Sequence, residues 1–548
     1  MTLTDRSSII GGPRSDLGYW QLSAGPGEQH TSRNEYLPTG RLPVESRPLL
    51  TVAHLSDLHL CDTQSPARGE FLDRWSDPDS PLRPVLGIIG AYRAQDCLTI
   101  QVGAAMVRAI NAVRRGPVGG AEIDWAITTG DVVDSAQTNE LGWYINLLDG
   151  GRIIPDSGST ERYEGVADHD FWHEAFWHPD PARNADGSTR PDRPRRLFGF
   201  PDAAGLLDTL REPFDSPGLS MPWLAVHGNH DQLVQGNIPA IGEFAHASMA
   251  DRKAIDLPAH WTIEEIAQFC GAVDSTEQDG LDRWGEMLTR QITPDPARRT
   301  ISRAEFVAAH FRPAARPAGH GLPDRQGSQC YYRHDHRPAQ VRDRVVTVLV
   351  LDAVNEHGGY QGSLDAPQLA WLEDELTSAD REKRYVVLAS HHTLADLVND
   401  RREPGSSRRV LTAELAQVLD AHPSVVLWIN GHTHITRVTP HGDQADRTAH
   451  AWWEVTAPSL IDFPQQGRIV ELLRSANGTL TIAVTMVDHS GELPWSGRVD
   501  SINAIAGLSR QLAANDWQFR PDDFGAHPLT GTPLDRNVLL HLPDPFPA

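Results

Sequence analysis

Leu49-Leu50-Thr51-Val52-Ala53-His54-Leu55-Ser56, running straight into Asp57-Leu58-His59, is the stretch that decides the fold. Its first eight residues are mostly apolar, with a β-branched share, and read as a short strand buried on both faces. An acid and an imidazole follow at once. The arrangement recurs along the chain. IDWAITT (123–129) precedes Gly130-Asp131-Val132-Val133-Asp134, and MPWLAVH (221–227) precedes Gly228-Asn229-His230-Asp231. RYVVLAS (384–390) precedes His391-His392, and SVVLWIN (424–430) precedes Gly431-His432-Thr433-His434. RVVTVLVLD (344–352) is a further buried strand, and helical spacing marks 98–113, 365–378 and 410–422. Strands alternating with helices predict an α/β fold. In such sheets ligands bind beyond the carboxyl ends of the strands, where all five motifs fall. GRIVELLRSANGTLTIAVTMVD (467–488) predicts a hairpin turning at Asn477-Gly478.

Carboxylate, amide oxygen and imidazole together suit Mn, Fe, Zn or Co. In an extended segment, residues at i and i+2 project to one side, so Asp57 and His59 can grip one cation together. His432 and His434 share that spacing and can each reach a different metal. A carboxylate can bridge two cations, one oxygen to each. Gly130, Gly228 and Gly431 allow sharp strand-to-loop turns where a Cβ would obstruct.

The ordered set DxH, GDxxD, GNHD, HH and GHTH resembles the calcineurin-like metallophosphoesterase superfamily over about residues 49–490. The resemblance implies a four-layer α/β/β/α sandwich with a dinuclear metal centre of Mn, Fe or Zn ions. Carried over by position, Asp57, His59 and His434 hold the first metal and Asn229, His391 and His432 the second, with Asp131 bridging. His391 is taken over His392 because the family's ligand is usually the first histidine. His230 corresponds to a non-ligand that points at the phosphate, with Asp134 orienting its imidazole and Asp231 a weaker choice for that task. The implied reaction is hydrolysis of a small phosphomono- or phosphodiester. Two cations about 3.5–4 Å apart clamp phosphoryl oxygens and generate a hydroxide that attacks phosphorus.

The stretch 351–376 is similar to the small-phosphodiesterase branch, matching at Gly362, Gln368, Trp371 and Leu372, while the spacing of Leu369, Leu372 and Leu376 predicts core packing. Ser135 stands where protein phosphatases carry Arg, and Asp134 where purple acid phosphatases carry Tyr, so both activities are disfavoured. The whole pattern also resembles large actinobacterial members of the superfamily.

A chain of 548 residues exceeds one ordinary domain of roughly 100–200. Residues 1–48 read as an extension that wraps the surface or stays loose, 49–498 as the catalytic domain, and 499–548 as a tail. Insertions at about 136–220 and 232–343 interrupt the α/β rhythm. A net charge of −24 disfavours nucleic acid as a partner and so a nuclease; a non-catalytic binding protein is the other rival, but no ligand position is missing. A small-molecule phosphoester is the expected partner, and oligomeric state is left open. Four scattered cysteines without CxxC predict reduced thiols. No signal peptide and no transmembrane run is read, so a cytoplasmic location is expected. His54 and His227 are expected to be packed strand residues, and Cys61 a small buried hydrophobe. HDFWHEAFWHPD (169–180) is either an aromatic lid or a self-packing insertion, with packing favoured. Arg193, Arg195 and Arg196, and Arg408 with Arg409, read as solvated surface.

Overall fold

The computed structural model describes residues 2–37, 43, 45–168, 170–241, 244–275, 282–445 and 450–547. It is a mixed α/β protein on two large mixed sheets. In the first, the strand order is Trp223–Val226, Trp125–Thr129, Ser46–Leu55, Gln466–Ser475, Thr479–Asp488, Val538–Pro543 and Thr31–Arg33. In the second, it is Tyr332–His336, Val346–Val350, Tyr385–Ala389, Val425–Asn430, Ala451–Thr456 and Arg437–Gly442. The three motif strands of the first sheet are mutually parallel, as are the four central strands of the second. Their carboxyl ends therefore share an edge within each sheet. The hairpin forms with Arg474 opposite Leu480 and Gly478 at φ 75°.

The period-two geometry of strands explains the unbroken apolar runs. Along the second sheet Val348, Val350, Val387, Leu427 and Ile429 join one core with Val52, Ile127, Val470 and Ile482 of the first sheet. The alternate residues Leu349, Leu351, Val386, Leu388 and Trp428 pack on Leu369, Leu372, Leu376, Leu415 and Leu419. Those leucines belong to the helices Ala366–Glu382 and Thr412–Asp420. Each fully buried leucine contributes about 1.5–3 kcal/mol relative to exposure. Asp365 caps the first of these helices by accepting from the Gln368 N–H at 2.8 Å. The helix Thr99–Val113 adds Val102, Met106 and Ile110 to the shared core and lies against the helix Ile502–Ala513.

The two ends of the chain are built into the first sheet. Residues 1–48, expected to wrap or stay loose, supply a two-stranded hairpin and the edge strand Thr31–Arg33, which pairs in parallel with Val538–Pro543. Short, polar-flanked edge strands lack the continuous apolar run that betrays a central one. Tyr163, Trp177 and Phe200 of the first insertion pack on Ile505, Leu508 and Leu512 of the C-terminal helix. Within 169–180, Phe176, Trp177 and His178 are buried, and the Trp177 indole N–H donates to the Pro201 carbonyl at 3.0 Å, so this segment packs inward. His169 lies outside the described residues. All four cysteines are free. Arg193 and Arg195 are ion-paired and half-buried or buried; Arg408 pairs with Glu414 in solvent. No helix among the described residues is long and apolar enough to cross a membrane.

Candidate metal centre

The five motif loops meet where the strand ends of the two sheets converge. Backbone bonds stitch them together beyond the strands. The Asp57 N–H donates to the Gly130 carbonyl at 3.1 Å and the His59 N–H to the Asp131 carbonyl at 2.9 Å. The His432 N–H donates to the Asp57 carboxylate at 3.2 Å, and the His391 Nδ1 to the Thr129 carbonyl at 2.8 Å. First and second sheets are thus joined through the site itself.

Asp57, His59, Asp131, His432 and His434 all have left-handed backbone, with φ between 43° and 68°. Such conformations cost on the order of 1–3 kcal/mol each for non-glycine residues and cluster at functional sites. The strand containing Leu55 ends there, so Asp57 and His59 are not on extended backbone as the i, i+2 argument assumed. They reach a common point because two successive left-handed residues flank Leu58 and fold the loop inward. Gly130 has φ 86°, but Gly431 serves close approach: a Cβ there would lie 1.9 Å from Ser56 Oγ and 2.3 Å from Asp57 Oδ2.

Asp57, His59, Asp131, His391, His432 and His434 come together, in two sets. His59 Nε2 and His434 Nε2 stand 3.2 Å apart, and His434 Nε2 lies 3.3 Å from Asp57 Oδ1. In the other set His391 Nε2 is 3.2 Å from His432 Nδ1 and 3.0 Å from Asp131 Oδ2. Donors about 2.1 Å from a cation stand about 3.0–3.4 Å apart at octahedral or tetrahedral angles, and these spacings match. Asn229 supplies the sharpest test. Its Nδ2 donates to the Gly236 carbonyl at 2.9 Å, and its buried Oδ1 has no hydrogen-bond partner. An orphaned buried acceptor is a costly feature that a bound cation would satisfy.

Asp131 links the sets through one atom. Its Oδ1 accepts the His230 N–H at 2.8 Å, while Oδ2 faces His391 at 3.0 Å, His59 at 3.8 Å and His230 at 4.0 Å. The same oxygen therefore faces imidazoles of both sets. His392 is the less committed member of its pair: Nε2 bonds the Tyr360 carbonyl at 2.9 Å, while Nδ1 has no partner and lies within 4.8 Å of the His391 and His432 donors.

Burial alone would depress the imidazole pKa values here. For His391 the neighbouring Asp131 carboxylate outweighs burial and lifts it to about 9; for His434 bonds to Asp462 and Asp57 do the same, again to about 9. Asp131 is held well below the usual carboxylate range, burial being outweighed by His391 and His230. The pocket's carboxylates favour positive charge beside them, which a metal ion can provide once the imidazoles release their protons.

The His230 side chain is 19% exposed, more than those of Asp57, His59, Asp131, His391 and His434, and its ring lies 4.4 Å from that of His59. Its Nδ1 donates to the main-chain carbonyl of Asp134 at 2.7 Å, and the Asp134 carboxylate is 4.0 Å away. Asp134 thus holds His230 by its backbone, not by the expected carboxylate. That carboxylate faces His59 Nδ1 at 3.5 Å and is gripped by Arg68. Asp231 holds no imidazole; it accepts the N–H groups of Gly228 at 2.8 Å and Val132 at 2.9 Å, tying two motif loops together. His54, within the strand Ser46–Leu55, bonds Thr129 Oγ1 at 2.9 Å, and His227, buried one residue beyond the strand Trp223–Val226, faces Asp352 at 3.3 Å, both packed and partnered as expected. Gln368 brackets the Asp352 backbone with two 2.8 Å bonds. Arg68, Arg93 and Asp462 contact the site's acids and imidazoles and carried no sequence signal, being isolated residues in irregular segments.

No protein-family model matches the chain, and no curated protein does. Solved structures do match. They include a dimetal phosphatase from Danio rerio, 11% identical, covering 81% of this chain and 100% of that chain at a TM-score of 0.33. A calcineurin-like phosphoesterase from Bacillus subtilis is 10% identical over 82% of this chain and 92% of that chain, with a TM-score of 0.27. GAP50, the anchor in the inner membrane complex of Plasmodium, is 10% identical over 78% and 85%, with a TM-score of 0.26.

Proposed function

We propose that this chain is a metal-dependent phosphoester hydrolase of the calcineurin-like metallophosphoesterase type, acting on a small phosphomono- or phosphodiester. The observation that carries the reading is the convergence of two donor sets on Asp131 Oδ2 with His230 beside them. Asp57, His59, His434 and Asp131 would hold one ion, and Asn229, His391, His432 and Asp131 the other. When bound, the metals supply Lewis acidity toward phosphoryl oxygens and an activated water.

The chain's own part is positioning and proton handling. Asp131 and Asp57 are held by backbone N–H donors, the His230 N–H on Asp131 Oδ1 and the His432 N–H shared by both oxygens of Asp57, so each carboxylate keeps one orientation. The His230 Nδ1–H is committed to a carbonyl, which leaves Nε2 as the only atom through which the ring can act. Burial depresses its pKa to about 4, so the ring rests neutral near pH 7. Nε2 can then take up a proton and return it to a leaving oxygen. Such a group typically contributes about 10²–10⁴-fold.

The test is a panel of mono-, di- and cyclic phosphoesters with purified protein and added Mn, beside metal analysis of variants. We expect turnover that a chelator abolishes and added metal restores. His230→Ala should keep its metal and lose about 10²–10⁴-fold in kcat, while Asp131→Asn and Asn229→Ala lose metal as well. Undiminished turnover after exhaustive metal removal would overturn the reading.

A further inference from the structure

Each imidazole of the Asp57 half of the site has a buried carboxylate behind it, and each carboxylate has an arginine behind it. The His434 Nδ1 donates to Asp462 Oδ2 at 2.6 Å. Arg93 grips the same carboxylate with two donors, Nε at 2.5 Å and Nη2 at 3.1 Å. On the other arm His59 Nδ1 faces Asp134 Oδ1 at 3.5 Å, and Arg68 Nη1 donates to Asp134 Oδ2. The arms meet at Asp96. Its Oδ2 accepts from Arg68 Nη2 at 2.7 Å and from the main-chain N–H of Arg93 at 3.1 Å. The hydrogen bonds therefore run from His434 through two arginines and three aspartates to the Asp134 carboxylate, which lies 3.5 Å from a His59 Nδ1 that makes no hydrogen bond of its own. Behind His391, among the described residues, the ring Nδ1 bonds a main-chain carbonyl, that of Thr129, and no carboxylate.

We propose that Arg68, Asp96, Arg93 and Asp462 form a positioning frame that sets the cation affinity of the Asp57–His59–His434 half independently of the Asn229–His391–His432 half. This rests on the reading of the site as a two-metal centre. Carboxylates behind ligand imidazoles fix the tautomer and raise basicity. The guanidinium groups fix the carboxylates in turn. Arg68 is 1% exposed and spends every nitrogen: Nε on Glu70 at 3.1 Å, Nη1 on Cys61 Sγ and Asp134, Nη2 on Asp96 and the Ala91 carbonyl. A guanidinium suits this work because its rigid fork serves several acceptors at set angles. All of the frame except Asp462 comes from the irregular connection between the first motif and the helix beginning at Thr99. That connection accordingly has work at the site although it carries none of the five motifs.

The experiment titrates metal-stripped full-length protein with Mn(II), following stoichiometry and affinity by calorimetry and the coupled or isolated state of the ions by electron paramagnetic resonance. The variants are Asp462→Asn, which keeps the shape, and Arg93→Gln and Arg93→Lys, at a position partly open to solvent. Thermal melts confirm folding, and Arg68→Met, which strips a buried cation from three carboxylates, is held as a third arm. Wild type should bind two ions. Asp462→Asn and Arg93→Gln should weaken one site by roughly 10–100-fold and leave the other unchanged, giving an isolated-ion signal at one equivalent; Arg93→Lys should recover part of the loss. Equal weakening of both sites, or none in folded variants, overturns the frame. Failure of wild type to bind two ions would instead overturn the two-metal reading beneath it.

Discussion

Gly236 is the position at which one added carbon tests the site's geometry most directly. It has φ +69°, and a Cβ there would sit 2.2 Å from His230 Cδ2, 2.3 Å from His230 Nε2 and 2.5 Å from Asn229 Nδ2. Ordinary carbon–carbon contact begins near ~3.5 Å, so Gly236→Ala must drive the ring or the loop back by more than about 1 Å. The Gly236 carbonyl also holds the Asn229 amide at 2.9 Å, so a loop shift moves a ligand with it. A misplacement of about 1 Å is worth about 10²-fold in rate, and alanine in left-handed backbone costs about 1–2 kcal/mol. Gly205→Ala separates the two effects, because Gly205 has φ +76° and no heavy atom within 4 Å of its Cβ position. Gly205→Ala should lose only the backbone cost in urea, while Gly236→Ala loses at least as much stability and alone loses kcat/KM on a chromogenic diester with saturating Mn. Activity of Gly236→Ala within a few-fold of Gly205→Ala would refute the placement of His230 and Asn229 against this loop.

Two further expectations concern buried charges away from the ligands. Burial, with Asp462 nearby, raises the Asp516 carboxyl to about 7. Its unfolded value is about 3.9, so the folded chain keeps a proton that the unfolded chain gives up, and stability is lost as pH climbs from about 4 through about 7. Asp516→Asn retains an acceptor for the Gln518 N–H (2.9 Å) and should match wild type in urea melts near pH 4 but exceed it at pH 8, by up to roughly 4 kcal/mol; coincident curves at both pH values would contradict this. Lys253, fully buried, donates from Nζ to the Ser65 carbonyl at 2.6 Å and to Glu70 at 2.9 and 3.0 Å. Lys253→Met should cost about 3–5 kcal/mol by leaving that carboxylate under-compensated, and adding Glu70→Gln should recover part of the loss; a neutral single variant would mean that the pair is not holding the second insertion to the first motif's loop.

The motif strands were legible because two-sided burial writes itself as an unbroken apolar run, as in Tyr385–Ala389, and the ligands because each sits within four residues of such a run. Three things were not legible, each for a physical reason. Backbone handedness leaves no mark on composition when the strained residue is an Asp or His chosen for its donor atom, so the left-handed Asp57 and His59 looked like strand residues. The direction of a carboxylate depends on its competitors: Asp134 turns to Arg68 and His59, and only its carbonyl is left for His230. Long-range pairs such as Arg93 with Asp462, 369 positions apart, exist only after both sheets have assembled. The last two share a consequence. The five motifs carry the donor atoms, but Arg68 and Arg93, which grip the carboxylates behind His59 and His434, lie in the segment between the first motif and the helix at Thr99, where they are scattered among short turns and small apolar clusters. If the frame acts as proposed, exchanging that segment while conserving the five motifs should keep every candidate ligand and change the cation affinity of the Asp57 half.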